Sequence, residues 1–477
     1  MNYIQTRQLT QDTKQHLVNS PARCEQKFLK LPSSLHGFVN TDTIVEHTMS
    51  NHNVYDFRGY LSETKNTVFC PYCGNKMHVH GTYNTVLRHL PFGTTFSCVS
   101  FPKKRFKCPG CSHTEFQPVP FKAANHNITK ELLAFVRDLL ALGFTNKDVA
   151  QISGLGKNTV KEIDVARLRD EYTINGTALK KPERQAKYIG IDEFKLHNGY
   201  KYATLIVDLE TGHILWLAQG KKKSSVYGFI EHVGQEWIDN VEAVACDMNS
   251  DFQEAVDECC PYATVVFDYF HIMQNLNKKV ISEIRKDEQK RLLEEGNHED
   301  ARVLKKSKYI LMSSKETLIK RDEESTSGKV RHKGSLLFKT SDVKIGTAYL
   351  NRYEKLISNN KLLFTCDLIK EKLKNAYKLR DGIKMAEEII DVMNLCVATN
   401  NIHLRWFAKI LDKNFEGIVA HADYPISNGK VEGINNKIKT LRRQGYGYPD
   451  DEYFFLKLFD ISRKKYVRNT KSHKICD

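Results

Sequence analysis

At 477 residues the chain has room for two to four domains, each with its own core. Its 72 lysines and arginines outnumber 57 acids for a net charge of +15, with pI near 9.1. This favours a polyanionic partner, nucleic acid first. No run of about 18 apolar residues occurs, which excludes a spanning helix, and the polar first 15 residues lack the apolar segment of a secretion signal. The 12 cysteines include two Cys-x-x-Cys pairs, a pattern of reduced, partly metal-bound thiols rather than a secreted disulfide framework.

Residues 1–60 form an arm with little pattern and no assigned chemistry. Residues 65–115 read as a zinc ribbon. Cys70-Pro-Tyr-Cys73 opens the segment and Cys108-Pro-Gly-Cys111 closes it. Each pair can point two thiolates at one Zn²⁺, and together they complete a four-thiolate structural shell. Between them, 82–90, 94–101 and 104–108 read as strands with a turn at 91–93. The 34 residues between the pairs exceed the usual spacing. A redox pair or buried free thiols are the alternatives. Four thiolates fill the shell, so His78, His80, His89 and His113 read as surface residues. Phe101 to Lys107 interleave basic and aromatic residues, as a nucleic-acid surface or an ordinary strand edge would.

Residues 120–168 read as three helices, at 128–142, 146–152 and 157–168. Gly143 ends the first, and Thr145 with Asp148 forms a capping box for the second. Gly154 and Gly156 make the next turn. The order matches a helix-turn-helix, which would place Lys157, Asn158 and Lys161 at base edges and phosphates. A small helical bundle packing only on protein is the alternative. Residues 169–186 read as a polar linker with Asn175-Gly176 and Pro182.

From 187 the pattern turns to strands. Residues 188–192 form a buried strand ending in Asp192, and 201–209 with 213–218 form a hairpin. A helix at 224–238 precedes a second buried strand, 241–246, which ends in Asp247. A helix at 251–259 and a strand at 263–267 lead to Asp268 and His271. Three hairpin-type strands, then helix, strand, helix, strand, is the order of an RNase H-like α/β domain. In that fold the first and fourth strands are neighbours, so Asp192 and Asp247 are expected side by side. Two such carboxylates repel unless a hard cation sits between them. Residues 187–274 are thus the first part of a catalytic domain, and 401–465 the second. Between them, 275–400 read as an α-helical insertion with a polar break at 323–334. Residues 466–477 are a basic tail.

In the second part, Val431, Ile434, Ile438 and Leu441 fall on one helical stripe. Glu432 stands at its edge, with Asn436 and Lys439 following on its face. Lys430, Lys437, Lys439, Arg442 and Arg443 surround it. A carboxylate there is either a third metal ligand beside a phosphate backbone or part of a solvated face. A closing amphipathic helix follows at 446–464.

Gly-Ile-Asp192-Glu-Phe, Cys-Asp247-Met-Asn, Phe-Asp268-Tyr-Phe-His271 and Ser-Asn428-Gly-Lys-Val-Glu432-Gly-Ile-Asn-Asn-Lys-Ile-Lys resemble the DDE transposases of bacterial insertion sequences. The similar branch is the ISL-three family, and the resemblance spans about 65–465. It implies a multidomain α+β enzyme: zinc ribbon, helix-turn-helix, then an RNase H-like domain interrupted by helices. Asp192, Asp247 and Glu432 would be its DDE triad, holding Mg²⁺ (or Mn²⁺). Asp268 and His271 match a further motif, as a supporting pair around the site. The implied activity is cleavage and strand transfer of double-stranded DNA, at transposon ends and target. The protein would act as a homo-oligomer on DNA in the bacterial cytoplasm and nucleoid, without a membrane partner. An RNase H-like nuclease or resolvase, or a domesticated DNA-binding regulator, are the alternatives.

Overall fold

The structure, a computed structural model, describes residues 35–47, 53–62, 68–197, 199, 201–248, 250–326, 348–427, 429–445 and 447–464. They divide into two compact units. The first takes residues up to Lys180 together with 444–456, and the second takes 181–443 and the residues from Lys457.

The first unit opens on strands β1 (Phe38–His47) and β2 (Asn53–Leu61), inside the arm for which the sequence offered no chemistry. They continue a sheet with β3 (Val68–Phe69), β4 (Lys76–Phe92), β5 (Thr95–Lys107) and β6 (Thr114–Phe116). The order is β1-β2-β5-β4-β3, with β6 on β5. The strands expected at 94–101 and 104–108 are one. β5 runs through Pro102, which pairs with Asn84 of β4, so the ladder bridges the expected break. Its inner face carries Val99 and Phe101 into a core with Leu87 and Phe121.

Three helices follow: α1 (Lys130–Leu142), α2 (Asn146–Ser153) and α3 (Lys157–Tyr172). Gly143 caps α1 in the left-handed region, and Thr145 and Asp148 form the reciprocal box that starts α2. Leu132, Val136, Leu140, Val149, Val160 and Ile163 make their shared core. α3 runs four residues past its expected end. The rest of the expected linker holds a short hairpin, β7 (Thr173–Ile174) and β8 (Ala178–Leu179). Asn175 and Gly176 turn it with φ of 52° and 78°.

The second unit is built on a five-stranded sheet: β9 (Tyr188–Lys195), β10 (Tyr202–Asp208), β11 (Ile214–Gln219), β12 (Ala243–Cys246) and β13 (Thr264–Phe267). The order is β11-β10-β9-β12-β13. β9, β10 and β11 pair antiparallel, while β9, β12 and β13 run parallel. The connection between β11 and β12 carries α4 (Lys223–Val233) and α5 (Gln235–Ile238), one expected helix broken at Gly234, where φ is 92°. α6 (Ser250–Cys259) joins β12 to β13, and α7 (Tyr269–Asn275) leaves β13.

The insertion is helical where it is described. A π-helical stretch, Leu276–Ile281, continues α7 into α8 (Ser282–Glu294). Then come α9 (His298–Lys305), α10 (Lys308–Met312), α11 (Lys315–Thr326), α12 (Tyr349–Ser358), α13 (Lys361–Ala376) and α14 (Gly382–Ala398). Most of the expected polar break lies outside the described residues. α15 (Ile402–Lys413) and α16 (Phe415–Val419) return to the sheet. One cluster of buried side chains joins Ile189, Ile191, Val244 and Phe267 of the sheet to Ile369, Leu373, Ile389 and Phe407 of these helices. At Gly417 a β-carbon would stand 2.5 Å from the Phe267 ring, so α16 lies flat on the residue before Asp268 only because a glycine is there. α17 (Gly429–Gln444) and α18 (Asp451–Arg463) complete the chain. Among the described residues no helix is long and apolar enough to cross a membrane.

Candidate active site and zinc knuckles

The two Cys-x-x-Cys pairs fold into matching turns. In the first, Cys70 N–H donates to Asn75 O at 2.9 Å and Gly74 N–H to Cys70 O at 2.9 Å. In the second, Cys108 N–H donates to His113 O at 2.8 Å and Ser112 N–H to Cys108 O at 3.1 Å. Gly74 and Ser112 occupy the same left-handed position, with φ of 71° and 61°. The four sulfurs lie within 4.8 Å of one another. Sγ separations of 3.4 Å for Cys70–Cys111, 3.4 Å for Cys73–Cys108 and 3.6 Å for Cys73–Cys111 approach the edge of a tetrahedron around zinc, roughly 3.8 Å for Zn–S bonds near 2.3 Å. The Cys111 peptide N–H leads the pull that takes the Cys108 thiol down to about 6. Four crowded thiols cannot all ionise without a cation, and this donor set fits a structural zinc. Of the nearby histidines, His89 differs from the surface role expected for it. It is 1% exposed, and its Nδ1 lies 2.9 Å from Thr129 Oγ1.

In the second unit the sheet brings the acids to one level. β9 and β12 pair Tyr188 with Ala243, Ile189 with Val244 and Gly190 with Ala245. Continuing that register sets Asp192 level with Asp247. β12 and β13 pair Cys246 with Phe267, so Asp247 and Asp268, each one residue past its strand, are level as well. Contrary to the expectation from sequence, Asp192 does not end its strand. β10 goes on pairing with β9 as far as Lys195, three residues past Asp192.

Burial, above all, raises the Asp192 carboxyl above its ordinary range. The Glu193 peptide N–H and the His271 charge pull it down, and the Asp247 charge adds to the rise. Asp268 is buried and caps α7, accepting the Phe270 N–H at 3.2 Å. His271 N–H donates to Asp268 O at 3.1 Å. Glu193 is a fourth acid at this place. Burial raises its carboxyl, Lys221 opposes, and Asp247 and Asp192 add to the rise. Its Oε2 is buried with no hydrogen-bond partner. Sequence reading passed over Glu193, although it adjoins Asp192.

α17 presents the predicted stripe: Val431, Ile434, Ile438 and Leu441 are all buried. Glu432 is exposed in its first turn. The side chain that reaches Asp192 is Asn435, one turn later, with Nδ2 2.7 Å from Oδ2. Asn436, the expected neighbour on the Glu432 face, is exposed as Glu432 is. Lys430 Nζ donates to Glu210 O, and Arg442 Nη1 to Lys195 O. Lys437 is half-buried, while Lys439 and Arg443 are exposed. The structure thus brings Asp192, Asp247 and His271 within electrostatic reach and docks the Glu432 helix against Asp192. Among the described residues, the four cysteines alone gather three or more potential metal-ligating atoms within 4.8 Å of one another, so Asp192, Asp247 and Glu432 do not all meet within that distance.

In the first unit Lys157 and Asn158 are exposed at the start of α3. Lys161 is engaged: its Nζ lies 3.1 Å from Asp450 Oδ2 and 5.3 Å from the centre of the Tyr453 ring.

With this geometry in hand, comparison with known proteins decides the family. The transposase pattern of the ISL3 family, the ISL-three family named above, matches residues 189–458. The chain belongs to the ISL3 family of transposases. A second pattern, the zinc finger of transposases of IS204, IS1001, IS1096 and IS1165, matches residues 66–111, the segment holding both knuckles. The chain is 26% identical over 401 residues to the transposase for insertion sequence element IS1001 of Bordetella parapertussis, covering 84% of this chain and 90% of that one. It is 24% identical over 280 residues to the transposase for IS1557 of Mycobacterium tuberculosis, covering 54% and 56%. Within this family the level placement of Asp192 and Asp247 and the acid of α17 acquire a chemical context.

Proposed function

We propose that this ISL3-family protein binds the terminal inverted repeats of an insertion sequence and catalyses DNA cleavage and strand transfer. The observation that carries the reading is the parallel pairing of β9 with β12, which levels Asp192 with Asp247, with the Glu432 helix bonded to Asp192. The sheet order β11-β10-β9-β12-β13 supports an RNase H-like reading of this domain, a scaffold on which such acids would serve phosphoryl transfer. Mg²⁺ or Mn²⁺ ions held by Asp192, Asp247 and Glu432 would supply the positive charge this chemistry needs. Burial and the nearby Asp247 charge raise the Asp192 carboxyl, a condition that favours a cation beside it. Asp268 and His271 would support the site, the first as the cap of α7 and the second through its electrostatic interaction with Asp192. Lys430, Lys437, Lys439, Arg442 and Arg443 neutralise phosphates along the same helix. The knuckles hold Zn²⁺ as structure. The three helices α1 to α3 act as a helix-turn-helix, with Lys157 and Asn158 offered to DNA and Lys161 partly committed to Asp450. Water would cleave the transposon end and free a 3′-hydroxyl, which would attack a target phosphodiester in line and displace the target strand's own 3′ oxygen, so no covalent protein–DNA bond forms. The protein works on DNA in the bacterial cytoplasm, as an oligomer that brings two ends together.

The test supplies pre-cleaved transposon ends, a target plasmid and Mg²⁺. Joined products are expected. Cutting without joining would favour a nuclease or resolvase, and end binding without either would favour a regulator. Glu432→Gln should lower joining at least ~100-fold, the upper end of what outer-shell changes cost at metal sites, while end binding persists.

A further inference from the structure

The amide of Asn435 connects α17 to β9 across 243 positions of sequence. Its Nδ2 donates to Asp192 Oδ2 at 2.7 Å, and the Glu193 peptide N–H donates to Asp192 Oδ1 at 2.7 Å. Each carboxylate oxygen therefore has one fixed donor, and the plane of the group is set by two hydrogen bonds. The amide has one sensible orientation, because reversing it would bring its oxygen against the carboxylate. In that orientation Asn435 Oδ1 is buried without a hydrogen-bond partner. A buried unmet acceptor costs stability, so Asn435 is a poor choice for docking a helix.

The helix does not depend on it for docking. Val431, Ile434, Ile438 and Leu441 bury its apolar stripe. Lys430 ties its first turn to Glu210 O and Arg442 ties its last turn to Lys195 O. Between these anchors, the bond from Asn435 fixes Asp192 rather than α17. We propose that Asn435 is a positioning residue that holds the Asp192 carboxylate in the orientation required to receive a divalent cation. This rests on the reading of Asp192 as a metal-holding acid. It makes the helix that carries Glu432 also the device that sets the first aspartate, so the two acids are oriented by one element.

The experiment is a calorimetric titration of the full-length protein with Mn²⁺, without DNA, alongside thermal unfolding. Outer-shell partners of metal ligands are worth about 10–100-fold in affinity. Asn435→Ala and Asn435→Leu are each expected to weaken Mn²⁺ binding about tenfold. Asp192→Asn should abolish binding at that site, and Ile438→Val, which loosens the apolar stripe alone, should leave it unchanged. Wild-type affinity in both Asn435 variants, with binding lost in Asp192→Asn, would overturn the proposal while leaving the site intact. An equal loss in Ile438→Val would overturn it too, by showing that general loosening of α17 suffices. Unaltered Mn²⁺ binding in Asp192→Asn would remove the metal-site reading, and this proposal with it.

Discussion

His89 shows how one buried side chain couples the first unit to pH. It is enclosed between β4 and the start of α1, bonded through Nδ1 to Thr129, and its Nε2 is buried without a partner. Burial lowers its pKa to about 4, from 6.5. The folded state therefore holds this ring neutral where the unfolded chain would protonate it. Its contribution is fully present above pH 6.5 and is lost as pH falls toward 4, where the loss approaches roughly 3 kcal/mol. Denaturant titrations across that window should show an acid-side fall in stability that His89→Gln flattens. An unchanged slope in the variant would contradict this assignment. The residue also marks a limit of sequence reading. A histidine near two Cys-x-x-Cys pairs looks like a spare ligand or a surface group, and nothing local reveals that Ile128 and Thr129 come back across β4 to cover it. Asn435 is a similar case. Helical phase places it between the buried stripe and the Glu432 face, but only the sheet shows that Asp192 lies opposite.

At the scale of elements, the knuckles and α16 make distinct demands. The two knuckles share one hydrogen-bond scheme, and each supplies half of a tetrahedral donor set. Removing zinc with a chelator, or replacing Cys108 with Ser, should unfold the β3–β4–β5–β6 end of the first sheet. Loss of about one zinc per chain by metal analysis, with loss of amide-exchange protection in residues 68–116, would be the signature. At α16, a methyl group on Gly417 would collide with Phe267, whose neighbour Asp268 caps α7. Gly417→Ala should destabilise the second unit by about 1–3 kcal/mol, the usual cost of overpacking, with the first unit's melting unchanged. Elements with strong local signals were legible in sequence: the capping box at Thr145, the glycine stop at Gly143, the apolar stripe of α17, and the strands flanking Asp192 and Asp247. Four strands were not. β1 and β2 lack clear alternation and are stabilised by pairing with each other and with β5. β5 looked broken at Pro102 and the lysines after it, yet its partner strand carries the pairing past them. β9 outruns Asp192 because its hairpin partner continues, a fact that belongs to β10.

For the whole molecule, the excess of basic residues is best tested by salt. The logarithm of DNA affinity should fall linearly with the logarithm of salt concentration, with a slope near −0.9 per phosphate neutralised. Lys439 and Arg443 are exposed on α17. Replacing both with alanine should make the slope shallower by about 2 in anisotropy titrations between roughly 50 and 200 mM salt. An unchanged slope would place the phosphates elsewhere. The sequence showed the direction of this charge but not its partition, since it could not tell exposed Lys439 from Lys161, which Asp450 and Tyr453 already engage.

The division of the chain also bears on the order in which the protein is made. The first unit is completed by residues 444–456. There Tyr453 Oη donates at 2.7 Å to Asp164, which is fully buried, and Arg169 meets Glu452 at 2.8 Å. During translation α3 leaves the ribosome nearly 300 residues before these partners do. Until they arrive, Asp164 has Arg167 beside it but not the tyrosine hydroxyl. The amino-terminal unit of a nascent chain therefore reaches its final packing only after the strands bearing Asp192 and Asp247, and the helix bearing Glu432, have all been synthesised. A polypeptide whose synthesis stops early would carry the zinc knuckles but not the finished helical trio.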